Sequence, residues 1–206
     1  MIGSKYKSFF DDKFRGAANV VIKIGLTPNQ LTLLGLFLGF FACGILLLTR
    51  NLVLFCILIM LFGLVDVLDG LVARITQRTS KFGSYLDAMC DRYYEAATGL
   101  CVAYVTGYWA LIFFAAIGAL LTSYAKARAG MEVPVSNTEW PDFMERLERS
   151  VIFVAGLFLS QFIPPVFFGK DLFFWTMILI GAGTHVTAIQ RILRAKKIIE
   201  ERAAWR

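Results

Sequence analysis

Six apolar runs dominate the chain, at roughly Leu31–Thr49, Leu52–Leu71, Gly83–Gly107, Tyr108–Ala127, Val151–Phe167 and Leu172–Ile192. A helix needs about 20 residues to cross the ~30 Å hydrocarbon core of a bilayer, and each run approaches that length. The pattern predicts six transmembrane helices. Ahead of them, residues Tyr6 to Leu26 set Phe9, Phe10, Phe14, Val20, Val21 and Ile24 among charges at spacings that fit one helical face. That predicts an N-terminal amphipathic helix lying in the interface. The turn Gly25-Leu26-Thr27-Pro28-Asn29 then opens the first crossing, with Thr27 suited to an N-cap and Pro28 to the first helical position. Polar breaks at Arg50-Asn51 and around Thr106–Tyr108 predict tight connections, and the stretch Arg128 to Ser150, with Pro134, Asn137 and Pro141, predicts a longer loop. No internal repeat interrupts the pattern. The expectation is an all-α integral membrane protein with a single domain over residues 1–206, of which 1–26 form a juxtamembrane amphipathic segment.

Composition agrees with this pattern: 58% of the 206 residues are hydrophobic, above the roughly 45–50% of soluble domains. The charged N-terminus has no small-residue cleavage pattern and is expected to be retained. Lys5, Lys7, Lys13, Arg15 and Lys23 precede the first run, Arg74, Arg78 and Lys81 lie between the second and third, and Lys126, Arg128, Arg146 and Arg149 between the fourth and fifth. Arg191, Arg194, Lys196, Lys197, Arg202 and Arg206 close the chain, whereas the alternate connections carry only Arg50 and Lys170. The positive-inside rule then predicts a multi-pass protein of the cell membrane with both termini cytoplasmic. A net charge of +6 suits anionic lipid headgroups or anionic substrates, and no nucleic-acid partner is expected. Cys43, Cys56, Cys90 and Cys101 are scattered in apolar helices without C-x-x-C spacing and read as packing residues.

Four aspartates interrupt this apolar pattern. Asp66, Asp69, Asp87 and Asp91 fall within or beside predicted crossings, where each carboxylate costs about 2.5–3.5 kcal/mol on insertion scales. On helices, Asp66 and Asp69 project three apart from one face, and Asp87 and Asp91 four apart from another. Packing of the two helices as a hairpin through the link from Ala73 to Gly83 would bring the pairs together. Converging carboxylates repel unless cations or protons intervene, and hard oxygen ligands suit Mg²⁺, Mn²⁺ or Ca²⁺. The same residues would also serve as a solvated loop, or as a structural network with Arg74 and Arg92. Interspersed Gly70, Ala73 and Gly83 weaken that alternative, because small residues let a ligand or a backbone approach.

The spacing Asp66-x2-Asp69-Gly70-x2-Ala73-Arg74-x8-Gly83-x3-Asp87-x3-Asp91 resembles the signature of the CDP-alcohol phosphotransferase family (CDP-alcohol phosphatidyltransferases), with every specified residue present. The resemblance implies a six-helix fold, a homodimer, and two divalent cations per active site, Mg²⁺ or Mn²⁺, holding the pyrophosphate of a CDP-linked donor on the cytoplasmic side. By the same resemblance Asp66, Asp69 and Asp87 would be metal ligands, and Asp91 a further ligand or the general base. Gly70, Ala73, Arg74 and Gly83 would line the nucleotide site. Asn29 and Thr32 would contact donor phosphates, although capping and packing explain them equally well.

Further stretches, Gly25-LTPNQLTLLG, Ser123-YAKARA, Met144-ERLERS and Gln190-Arg191, look like the phosphatidylinositol-phosphate and archaetidylinositol-phosphate synthases. This implies a CDP-lipid donor, CDP-archaeol or CDP-diacylglycerol, and inositol 1-phosphate as acceptor, with Lys126, Arg146, Arg149 and Arg191 receiving its phosphate. Arg146 and Arg149, three apart on a helix start, can fork onto one phosphate, although positive-inside residues would have the same composition. Glycerol 3-phosphate as acceptor, or a soluble CDP-polyol donor, would keep the fold and change the substrates. A cation channel or transporter using the acidic cluster is an alternative of another class. His185 is expected to be a packed residue, and Glu95, one turn past Asp91, could face a polar cavity.

Overall fold

The computed structural model describes residues 7–133 and 143–203. Pro134, Asn137 and Pro141 of the predicted loop, the side chains of Phe9 and Phe10, and Arg206 lie outside the described residues. The described chain forms α1 (Lys7–Ile24), α2 (Pro28–Thr49), α3 (Leu52–Ile75), α4 (Lys81–Thr106), α5 (Trp109–Glu132), α6 (Arg146–Leu159) and α7 (Leu172–Ala203). It divides into two compact units, residues 7–107 and residues 108–203.

Helix boundaries follow local chemistry. Thr27 caps α2 in a reciprocal capping box: Gln30 N donates to Thr27 Oγ1 at 3.4 Å and Thr27 N donates to Gln30 Oε1 at 2.8 Å. Arg50 ends α2 in the left-handed region at φ 54°, and Asn51 accepts from Leu54 N at 3.0 Å to start α3. Ser80 accepts from Gly83 N at 2.9 Å to start α4, and Gly107, at φ 77°, ends it. The helices run further than the apolar runs, so the link between α3 and α4 shrinks to residues 76–80.

Four helices, α2, α3, α5 and α7, are long and apolar enough to cross a bilayer. The other two predicted crossings differ for separate reasons. α4 has the length, 26 residues, but residues 81–95 carry Lys81, Asp87, Asp91, Arg92 and Glu95. α6 has only 14 residues, about 21 Å, and stops at Leu159 instead of continuing to Phe167. Ser160 turns its hydroxyl back to Leu157 O at 2.7 Å, and Pro164-Pro165 remove two donors and bias Ile163 away from helical geometry.

In residues 7–107, α1 lays Phe14, Ala18, Val21 and Ile22 against Leu68, Leu71 and Val72 of α3 and Leu31 of α2. Those α1 positions recur at helical spacing, while Val20 and Ile24 of the same helix stay exposed. The predicted side-by-side hairpin of α3 and α4 is not what forms. α2 packs along both of them, and they make no comparable contact with each other. Small residues of α2 permit this: Gly35 leaves 4.0 Å between a would-be Cβ and Val65 of α3, and a Cβ on Gly39 would fall on the Tyr94 ring of α4.

In residues 108–203, α7 packs on both α5 and α6. A Cβ on Gly118 of α5 would collide with Thr184, and one on Gly181 of α7 would stand 2.7 Å from Phe114, so close approach is built in from both helices. Phe153 of α6 meets Phe173 edge to face at 5.4 Å. Tyr108 donates to Asp171 Oδ2 at 2.9 Å, and Asp171 Oδ1 accepts from Phe174 N at 2.8 Å. Burial first, and Asp171 second, push the Tyr108 phenol up to about 12, so it keeps its donor proton through neutral pH. All four cysteines are free and buried.

The Gly39 contact generates a stability test. Gly39→Ala is expected to cost about 1–3 kcal/mol through overpacking against Tyr94. Gly16→Ala, whose Cβ meets nothing within 4 Å, should be neutral or gain up to about 1 kcal/mol. Thermal midpoints in detergent read the difference; equal midpoints would refute the packing account.

Candidate active site

Asp66 and Asp69 lie in the C-terminal half of α3, and Asp87 and Asp91 in the N-terminal half of α4. One carboxylate oxygen each from Asp66, Asp69 and Asp87 lies within 4.8 Å of the others. Asp91, 8% exposed, stands one turn further along α4, outside this set of three. Because α3 and α4 do not pack along each other, the aspartates do not meet within a packed seam. Three carboxylates this close repel one another, and a donor set of hard oxygens fits a divalent cation such as Mg²⁺ or Mn²⁺.

Asp69 and Thr32 are each 8% exposed, and Thr32 Oγ1 donates to Asp69 Oδ2 at 2.6 Å. That bond fixes one oxygen of Asp69 and orients the other. Thr32 is thus a partner of a carboxylate, which spacing along the chain had not indicated. Helix pairing brings residues 32 and 69 together, and no local signal marks it.

The positions expected at the nucleotide site also converge in part. A Cβ on Gly83 would sit 3.1 Å from both Asn29 Oδ1 and Ser80 Oγ, so the first turns of α2 and α4 meet there. A Cβ on Gly70 would sit 3.3 Å from Arg74 Nη1, placing that guanidinium over the small residue one turn before it. Ala73 is half-buried on the same helix. Arg92 pairs with Glu95, Nη1 to Oε2 at 3.0 Å, which gives Glu95 a local structural contact.

The four basic residues lie in the unit of residues 108–203. Arg149 and Arg191 are 7% and 8% exposed; Lys126 and Arg146 are half-buried. Arg191 Nη1 donates to the Thr122 carbonyl, one turn before Lys126 on α5, which puts these two basic residues on neighbouring turns of packed helices. Arg149 Nη1 donates to Met144 O at 3.4 Å. His185 stacks on Phe114 at 4.2 Å, with Nε2 3.1 Å from the Phe114 carbonyl oxygen, and is a packed residue as expected.

The model of the CDP-alcohol phosphatidyltransferase family matches residues 25–196. The chain belongs to this family. It is similar to the archaetidylinositol phosphate synthase of Pyrococcus horikoshii, at 33% identity over 86% of this chain and 87% of the relative. It is also similar to the phosphatidylinositol phosphate synthase of Corynebacterium glutamicum, at 31% identity over 87% and 82%. Among solved structures, the Mycobacterium tuberculosis phosphatidylinositol phosphate synthase with CDP-DAG bound superposes with a TM-score of 0.76 at 25% identity, covering 87% of this chain and 92% of that one. The same enzyme in complex with manganese and citrate gives a TM-score of 0.76 at 25% identity over 87% of each chain. The chain is therefore a membrane transferase of phospholipid biosynthesis, which sets aside the channel reading of the acidic cluster.

The Thr32–Asp69 bond is testable by metal affinity. Thr32→Val is expected to weaken Mn²⁺ binding about 10-fold or more, while Thr32→Ser retains it. Titration calorimetry on the purified protein decides, and unchanged affinity in the valine variant would show that the bond does not support metal binding.

Proposed function

We propose that the protein transfers a phosphatidyl-type group from a CDP-lipid, CDP-archaeol or CDP-diacylglycerol, to inositol 1-phosphate and releases CMP. The observation that carries the reading is the cluster of Asp66, Asp69 and Asp87 oxygens within 4.8 Å, set in the family's signature with Asp91 buried one turn beyond. These three aspartates, with Asp91 as a further candidate ligand, would hold two divalent cations, Mg²⁺ or Mn²⁺. Bound there, the cations would neutralise the donor pyrophosphate and the departing CMP.

Asp91 takes the proton of the acceptor hydroxyl as that oxygen bonds to the lipid-bearing phosphorus and the phosphoanhydride bond to CMP breaks. Gly70, Ala73, Arg74 and Gly83 line the nucleotide, with Asn29 at the first turn of α2. Thr32 orients Asp69 and joins Asn29 in contacting the donor phosphates. Lys126, Arg146, Arg149 and Arg191 receive the acceptor phosphate, since guanidinium forks match phosphate oxygens. The names of the relatives support inositol phosphate over glycerol 3-phosphate, and the acceptor panel below separates the two.

The same reading takes residues 1–206 as one functional domain working as a homodimer in the cell membrane. It keeps six crossings, with α4 and α6 added to the four apolar helices, and α1 on the interface. Both termini and the active site are cytoplasmic.

Purified protein with Mg²⁺ or Mn²⁺ is expected to form a lipid inositol phosphate and CMP. No CMP release with inositol 1-phosphate, glycerol 3-phosphate or free polyols would overturn the proposal. Asp91→Asn should lower turnover about 10²–10⁴-fold with Mn²⁺ binding retained; near-wild-type turnover would remove Asp91 as the base. Arg149→Ala should raise the acceptor KM about 10-fold or more and leave the donor KM nearly unchanged. Equal effects on both would make Arg149 a structural residue.

A further inference from the structure

The connection between α6 and α7 is unusual for an exposed loop. Phe162, Ile163, Val166, Phe167 and Phe168 are all exposed, Phe168 at 93%. Phe167 and Lys170 pair across a two-residue turn made by Phe168 and Gly169, whose φ values are 52° and 66°. Two successive positive φ angles favour Asn-Gly or Gly-Gly at such a turn. A phenylalanine there is strained, yet the residue stays exposed, its ring 6.4 Å from that of Trp175.

The backbone before the tip has satisfied its own donors. Ser160 N, Gln161 N, Phe162 N and Ile163 N donate to carbonyls of residues 156–159 at 3.0–3.1 Å, Pro164 and Pro165 have no N–H, and Val166 N donates to Lys170 O at 3.0 Å. Each backbone N–H from residue 160 to 166 therefore has an acceptor within the chain, which lowers the cost of moving this stretch into a low-dielectric layer. The base is rigid: Asp171 is held by Tyr108 and caps Phe174, Lys170 Nζ lies 5.4 Å over the Phe174 ring, and Trp175 packs edge-on against Phe167 at 6.3 Å.

From these features we infer that residues 162–168 are an interfacial anchor, seated at the boundary of headgroups and acyl chains of the leaflet where α7 begins. The occupant is lipid. The apolar patch continues directly into α7, a helix long and apolar enough to cross, and Lys170 at the turn supplies a cation for lipid phosphates. Aromatic side chains favour this zone. The strain at Phe168 is then offset by burial of its ring in the membrane.

This inference rests on α7 crossing the bilayer, so the test carries a reporter for each claim. Trp109, Trp140, Trp175 and Trp205 are replaced by Phe, and a single tryptophan is introduced by Phe168→Trp or, in a second variant, Leu179→Trp on the exposed face of α7. The proteins are reconstituted in phosphatidylcholine–phosphatidylglycerol vesicles containing lipids with a nitroxide near the headgroup or near the chain end. Phe168→Trp should be quenched more by the shallow nitroxide and shielded from aqueous iodide, and Leu179→Trp more by the deep one. Quenching of Leu179→Trp with an iodide-accessible, lipid-insensitive Phe168→Trp would overturn the anchor and leave the crossing intact; loss of lipid quenching at both would remove the crossing itself. Should Phe168→Trp fail to fold, judged by lost CMP release, Phe167→Trp takes its place with the same expected order. Shielding from iodide and lipid together would mean that protein, such as a second copy of the chain, covers the loop, and would equally refute the anchor.

Discussion

Asp66, Asp69 and Asp87 bring oxygens within 4.8 Å of one another although the helices carrying them do not pack together along their lengths. Carboxylates on a tightly packed hairpin would face both mutual repulsion and full desolvation. α2 resolves this by packing along both partners, so that α3 and α4 are held through it and not against each other. The small residues of α2 and the capping box that sets its start follow from that requirement. So does Thr32, which turns the one helix without an acidic residue into a source of orientation for the cluster. The Gly83–Asn29 approach extends the same logic to the first turns of α2 and α4.

The unit of residues 108–203 handles buried charge with the opposite sign. Arg149 and Arg191 are as hidden as Asp69 and Asp91, but guanidinium groups carry donors that main-chain carbonyls can accept. Met144 O and Thr122 O do so here. The Thr122 hydroxyl in turn donates to the Gly118 and Thr184 carbonyls, tying the basic end of α7 to α5.

Much of the helical framework was legible because its causes are local. Thr27-Pro28-Asn29-Gln30 encodes a cap within four residues, Asn51 and Ser80 do the same for α3 and α4, and Gly107 ends α4 because it alone there accepts positive φ without strain. The fifth apolar run misled because hydropathy counts Ile163, Val166 and Phe167 as helix while Pro164-Pro165 and the Ser160 turn stop the helix at Leu159. The third run does form a helix, but its charged stretch keeps composition alone from marking it as a crossing.

The sequence by itself determined the helical class, the helix ends marked by local caps, and the chemistry of the acidic cluster, since spacing on a helix decides which side chains share a face and the signature ties those faces to one family. Only the tertiary structure decided which helix packs along both aspartate-bearing helices, that Asp66, Asp69 and Asp87 bring oxygens within 4.8 Å of one another, and that Thr32 holds Asp69. It also revealed a phenylalanine at the tip of a turn that favours asparagine or glycine. Each of these depends on contacts between residues distant in the chain, or on backbone angles set by such contacts, and neither periodicity nor motif spacing carries that information.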